Sequence, residues 1–288
     1  MSAPDASPPF VRIGPDPLVS PVLLSVPHAG RDYRPALLAS ARVTRETLES
    51  LEDRLVDRLV WQANAAGAAA LVARAPRAEI DLNRDEREID PQLVAPPLPP
   101  AAVVQSARTR GGIGLIPSRI AGVGAIWNDR IGRDELVRRI VEIHRPYHDA
   151  VAAALDEARA RFGAAVLLDC HSMPPRGRGE SEPDVVFGDR HGTSAAAHLF
   201  EAAIGAAAAL GWRTAANAPY AGGYIAGRHG RPAEGVHVIQ MEICRSGYLD
   251  VELRAPGPGF ARACRLVAAV VGALEARLLG EDQAVAAE

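Results

Sequence analysis

The chain contains no lysine: all 32 of its basic residues are arginine. Without a side-chain amine it cannot form a Schiff base, and the Gly-Lys step of a P-loop is missing, so both of those chemistries are excluded. Cysteine is scarce, and Cys170, Cys244 and Cys264 form neither a CxxC pair nor a disulfide framework. There is no GxSxG elbow, which argues against a serine hydrolase. No apolar stretch is long enough to span a bilayer. A net charge of -3 offers no basic field for nucleic acid. The opening MSAPDASPPF lacks the charged-then-apolar pattern of a secretory signal. The expectation is a soluble cytoplasmic protein with neither a nucleic acid nor a membrane as partner.

What is present suits a large core, since 48% of the 288 residues are hydrophobic. Residues 1–18 read as an irregular arm. PVLLSV (21–26) reads as a buried strand. Residues 44–66 have helical spacing, with Leu48, Leu51, Leu55, Leu59 and Val60 on one side and Thr44 as N-cap. A second strand is predicted at 68–73, after Gly67. A Pro-rich stretch (91–100) and a glycine-rich excursion (101–132) follow, and long loops of this kind are often functional. Residues 133–162 form the longest helical pattern, interrupted by Pro146. Strands are predicted at AAVLLDCH (164–171), PDVVFGD (183–189) and GVHVIQMEI (235–243), and helices at 193–210 and 258–279. Strands alternating with helices predict an α/β fold around a largely buried sheet. There is no internal repeat and no sharp change in composition. One domain is therefore expected over 19–280, with a tail at 281–288.

In open α/β sheets, ligands collect at the C-terminal ends of strands. Three predicted strands deliver polar residues there: LLSVPHAG ends at His28, AVLLDCH at His171, and VHVIQMEI carries Glu242. One such histidine is ordinarily structural; two, each before a turn, point to a site. Catalytic zinc takes three protein ligands and leaves a position for water, and two histidines with one carboxylate are a usual set. The carboxylate could be Asp53, Asp81, Asp169 or Glu242. Asp53 lies in a helical pattern, where an aspartate usually just meets water. Asp169 shares a strand face with His171 and could orient it from behind. His144 and His148 of HRPYH stand one helical turn apart, but no glutamate lies between them and Pro146 distorts the turn, so packing or support of the site is preferred to metal binding.

RAEIDLNR (77–84) reads as a short alternating strand presenting Arg77, Asn83 and Arg84, suited to carboxylate recognition. The plainer alternative is a surface ion-pair network with Asp81, Asp85 and Glu86. GGYIAGRHGRP (222–232) has the wrong spacing for a dinucleotide fingerprint and reads as a mobile flap carrying Tyr224 and Arg228. Cys170 and His171 are adjacent on a strand and face opposite sides, so they make a poor nucleophile–base pair.

Six motifs in order, SVPHAG, EDRLVD, RAEIDLNRD, HRPYHDAV, LLDCHS and GGYIAGRHGRPAEGVHVIQMEICRSGYLD, resemble those of the N-formylglutamate amidohydrolases. The resemblance runs from about residue 20 to 275. It implies a three-layer α/β/α sandwich with a mixed, mostly parallel central sheet, phosphorylase/hydrolase-like and similar to the zinc carboxypeptidases. It implies one zinc ion per chain on His28, Asp53 and His171, with Glu242 as general base and acid. It implies Arg77 as the group polarising the scissile carbonyl, Asn83 and Arg84 as holders of the substrate carboxylate, and Tyr224, with Arg228 near it, over the substrate. The activity implied is hydrolysis of the formyl or acyl amide of a small amino acid, N-formyl-L-glutamate above all, in histidine degradation. After DLNR the chain has DEREIDPQLVAPPLPP in place of a longer tract with a Tyr-Pro-Gly segment, which leaves the acyl group and amino acid open. A zinc metallopeptidase and a non-catalytic carboxylate-binding protein of the same fold are the alternatives.

Overall fold

The computed structural model describes residues 8–175 and 182–285. Residues 1–7 of the expected arm and 286–288 of the expected tail lie outside the described residues. The chain forms two compact units, one of Met1–Val11, Pro27–Glu52 and Val72–Asp149, the other of Arg12–Val26, Asp53–Leu71 and Ala150–Glu288.

The arm expected to be irregular carries a strand, β1 (Phe10–Ile13), and β2 (Val22–Val26) is buried along its whole length. After α1 (Pro35–Ser40), the single helix expected over 44–66 is three short ones: α2 (Arg45–Glu49), α3 (Val56–Leu59) and α4 (Trp61–Ala65). Thr44 caps α2 as expected, its hydroxyl oxygen accepting the Thr47 N–H at 3.3 Å. The break lies between α2 and α3, where Leu55 takes a left-handed φ of 61°. Its physical reason is Asp53, whose carboxylate is held in the interior by His171, Ser172 and Arg245. An uninterrupted helix with its leucines inward would have left that carboxylate in water.

β3 (Ala69–Ala73) follows Gly67, which takes φ 113°. RAEIDLNR then forms turns rather than the expected strand. Ile80, Asp81, Leu82, Asn83 and Arg84 are all buried, so the in–out alternation that suggested a half-exposed strand does not exist in space. The Pro-rich stretch that follows carries β4 (Val94–Ala95), and the excursion contains α5 (Ala107–Arg110), β5 (Arg119–Ile120), β6 (Gly124–Ala125) and β7 (Ile131–Gly132), with β4 parallel to β7 and β5 antiparallel to β6. The predicted long helix is α6 (Arg133–Arg139), a π-helical turn (Ile140–His144) and α7 (Arg145–Phe162). Pro146 has no N–H to offer the carbonyl four residues back, so the ladder widens ahead of it and the Arg145 N–H reaches back five residues to the Ile140 carbonyl.

β8 (Ala165–Met173) is buried at all nine positions and runs two residues beyond His171, which is therefore inside the strand rather than at its end. β9 (Val185–Gly188), α8 (Ala197–Ala209) and β10 (Thr214–Ala216) follow. The expected flap is a short helix, α9 (Tyr224–His229), anchored by buried Ile225, Ala226 and His229. β11 (Val236–Cys244) and α10 (Phe260–Val285) complete the chain, and α10 extends into the expected tail and packs on α3, α4 and α8.

The main sheet has seven strands in the order β1-β3-β2-β8-β11-β9-β10. β8 is parallel to β2 and β11, β10 is parallel to β9, and β9 runs antiparallel to β11, so the sheet is mixed and mostly parallel. Its register does chemical work. Ser25, Asp169 and Gln240 lie in line across β2, β8 and β11, and His171 is paired with Glu242. Asp169 and His171 share one face, and Cys170 is fully buried on the other. No helix among the described residues is long and apolar enough to cross a membrane.

Gly30, two residues past His28, lies against the backbone of Arg74 and Ala75, and a Cβ there would overlap the Ala75 carbonyl. Gly30→Ala should therefore destabilise the protein by about 1–3 kcal/mol, the usual cost of overpacking. Urea unfolding checks this, and an unchanged midpoint would show that the backbone yields without cost.

Candidate active site

Because β2, β8 and β11 are parallel, they present their C-terminal ends at one edge of the sheet. His171 and Glu242 each occupy the seventh of nine positions in their strands, and His28 follows the end of β2 by two residues.

His171 is bracketed by acids. Its Nδ1 lies 3.0 Å from Asp53 Oδ2 and its Nε2 2.8 Å from Asp169 Oδ2. Asp169 is held in turn by the Ser25 hydroxyl, which donates to Oδ1 at 2.7 Å. Asp53 Oδ1 accepts from Ser172 Oγ at 3.1 Å and from an Arg245 N–H at 3.3 Å. Burial alone would keep the His171 ring neutral, yet Asp169 and Asp53, helped by the charge of Glu242, push its pKa well above the usual histidine range. Two aspartates against one ring make these surroundings negative, the polarity that suits a cation.

His28 repeats the pattern with its own aspartate, its Nε2 lying 2.7 Å from Asp81 Oδ1. Both histidines thus direct Nε2 at a buried carboxylate, and His171 also directs its Nδ1 at Asp53. Carboxylate support behind a histidine is the usual arrangement around metal-binding imidazoles. Ligand atoms of His28, Asp53 and His171 come within 4.8 Å of one another, and all three residues are buried. Two imidazoles and a carboxylate fit zinc in number and chemistry.

Asp81 binds more than His28. Arg77 Nε donates to its Oδ2 at 2.9 Å, and Arg84 Nε lies 3.8 Å from the same oxygen. Burial would raise the Asp81 pKa, but the charges of Arg77, Arg84 and His28 outweigh it and hold the carboxyl well below its usual range. The ion-pair alternative for Arg77 is thus realised through Asp81, in the interior rather than at the surface. Arg84 is itself buried, and its N–H groups reach the Ile113 carbonyl at 3.0 Å and the Asn83 carbonyl at 2.7 Å. Two guanidinium groups share one aspartate here, so the cluster of Arg77, Arg84 and Asp81 carries a surplus of positive charge, the polarity that suits an acidic ligand.

Glu242 is tied to its own strand neighbour. Gln240 Nε2 donates to Glu242 Oε1 at 3.0 Å, and Gln240 Oε1 accepts the Gly223 N–H at 2.8 Å. One glutamine thereby connects Glu242 to the start of α9. On that helix Arg228 donates to the Tyr224 hydroxyl at 2.7 Å, so the two residues expected over the substrate contact each other. The sequence reading missed Gln240, Ser25, Ser172 and Arg245. Only Gln240 had a signal, its place two residues before Glu242 on the same strand face.

Buried histidines backed by aspartates and a strand-borne glutamate thus sit on the mostly parallel sheet of an α/β protein. The N-formylglutamate amidohydrolase family model matches residues 20–249. The N-formylglutamate deformylase of Pseudomonas aeruginosa is 30% identical over 242 residues, covering 80% of this chain and 82% of that protein. The crystal structure of N-formylglutamate amidohydrolase from Ralstonia eutropha JMP134 superposes with a TM-score of 0.86 at 32% identity, over 94% of this chain and 98% of that one. The gene product Atu2144 of Agrobacterium tumefaciens, at 18% identity and a TM-score of 0.64 over 98% of this chain and 97% of that one, shares the fold. The chain belongs to the N-formylglutamate amidohydrolase family.

A depressed carboxyl makes the fold sensitive to acid. Asp81 stabilises the native state fully above the unfolded carboxyl value of about 3.9, and that contribution is lost as pH falls from there toward its lower folded value. Urea midpoints of the metal-free protein should therefore fall less steeply with acid in Asp81→Asn than in the wild type. Equal slopes would mean that Asp81 is not the group that titrates.

Proposed function

We propose that this chain hydrolyses the amide of a small N-formyl amino acid, N-formyl-L-glutamate first among them, to formate and the free amino acid. One zinc ion per chain on His28, Asp53 and His171 would serve the reaction. The observation that carries this reading is the matched pair of contacts from His28 Nε2 to Asp81 and from His171 Nε2 to Asp169, with Glu242 in register beside His171. Zinc in such a set, when bound, lowers the pKa of its water toward about 7 and polarises a carbonyl.

The chain's own residues do the rest. Glu242, its carboxylate fixed on one oxygen by Gln240, takes the proton of the attacking water and returns it to the leaving amine. Arg77 stabilises the negative charge that develops on the carbonyl oxygen. Asn83 and Arg84 take the α-carboxylate of the substrate, while Tyr224 and Arg228 cover its other end. The surplus charge of Arg77 and Arg84 over Asp81 favours a substrate with carboxylates. A protein that only captured acids would gain nothing from Glu242 beside the site. The same reading takes residues 19–280 as one amidohydrolase domain, a three-layer sandwich similar to the zinc carboxypeptidases. It also gives the protein a cytoplasmic, catabolic role on a soluble metabolite.

Metal analysis together with a formate-release assay tests the proposal. The purified protein should carry about one zinc per chain, lose activity in chelator and regain it with zinc, and His171→Ala should bind none. Full activity in metal-free protein would refute the zinc assignment. Glu242→Gln should keep the metal and the fold and lose about 10²-fold or more in turnover, the usual size of a general acid–base contribution. Near-normal turnover in that variant would assign the proton transfer to another group.

A further inference from the structure

The loop that offers Asn83 and Arg84 belongs to no strand, yet its carbonyls are all engaged. The Leu82 carbonyl lies 3.0 Å from His148 Nε2, the Asn83 carbonyl accepts from Arg84 at 2.7 Å, and the Arg84 carbonyl lies 2.9 Å from His144 Nε2. A carbonyl can only accept, so both histidines carry their proton on Nε2. His144 and His148 stand about one helical turn apart, and they meet carbonyls two residues apart in the loop. The two rings are fully buried, with centroids 4.4 Å apart, where a lost hydrogen bond is not replaced by water. From its other side the loop is held by the Asn83 N–H, which donates to Asp81 Oδ1 at 2.8 Å, and Asp81 also contacts His28.

From this geometry we infer that His144 and His148 are positioning residues for substrate recognition: by clamping the Leu82 and Arg84 carbonyls they hold Asn83 and Arg84 in the conformation that receives the substrate's carboxylate. The inference rests on the reading that Asn83 and Arg84 meet that carboxylate. Neither histidine touches the reacting atoms. Their effect is on the fit of the carboxylate and not on the chemical step.

The test compares substitutions that keep the donor with substitutions that remove it. Gln presents an N–H close to the position of imidazole Nε2, whereas Phe keeps a ring and has no donor. If a Phe variant does not fold, Asn, whose amide stops short of the carbonyl, replaces it. Kinetics are measured on N-formylglutamate and on an uncharged formamide, and L-glutamate affinity is measured by calorimetry, which needs no turnover. His144→Phe and His148→Phe should raise KM for N-formylglutamate and weaken L-glutamate binding by on the order of tenfold, with kcat and the formamide reaction little changed. His144→Gln and His148→Gln should restore most of the loss. Equal losses on both substrates, or Gln behaving no better than Phe, would overturn the inference and leave the pair a packing role. A wild type that releases no formate would overturn the functional reading instead, and L-glutamate affinity alone would then decide the clamp: a Phe-specific loss rescued by Gln supports it, and unchanged or absent binding overturns it.

Discussion

Buried carboxylates must be paid for with buried positive charge or hydrogen bonds, and this constraint organises the site end of the protein. Asp53, Asp81 and Asp169 are each removed from water, and each is held by named partners: Ser172, Arg245 and His171 for Asp53, Arg77 and His28 for Asp81, Ser25 and His171 for Asp169. Such groups are tolerated in the interior only where several donors converge. Convergence fixes the histidines as firmly as it fixes the acids.

The parallel sheet supplies half of that convergence at little conformational cost. Once β2, β8 and β11 pair in register, Ser25, Asp169 and Gln240 are aligned across three strands, and His171 stands beside Glu242. No loop has to be ordered to bring these groups together. The same alternation that directs Asp169 and His171 to one face sends Cys170 into the core on the other.

The other half comes from irregular backbone, which needs side chains to hold it. Between α2 and α3 the chain abandons the helix so that Asp53 can turn inward, and Leu55 takes a left-handed conformation to allow it. At 82–84 side chains replace a neighbouring strand as hydrogen-bond donors to the backbone. The π-helical turn belongs to the same solution. It lies ahead of Pro146 and contributes His144, while α7 contributes His148. A helix that would otherwise be ordinary thereby becomes the support of a recognition loop.

Much of this was legible in one dimension. Hydrophobic runs marked the strands, Thr44 marked a helix start, and period-two spacing put Asp169 behind His171, because these signals depend on neighbours a few residues away. The six ordered motifs marked the family. What was not legible required contacts across the chain. Asp53 read as a solvated helical residue because Ser172 and Arg245, the partners that pull it inward, lie more than a hundred residues away. RAEIDLNR read as a strand because its alternation is real in sequence, while the histidines that hold its carbonyls are 60 or more residues distant. The flap was a helix because Ile225 and Ala226 have a core to enter. Local pattern determined which residues could form strands and helices and which chemistry they could carry. Tertiary structure alone decided which carboxylates are buried, because burial of a charge is set by partners that only folding brings near.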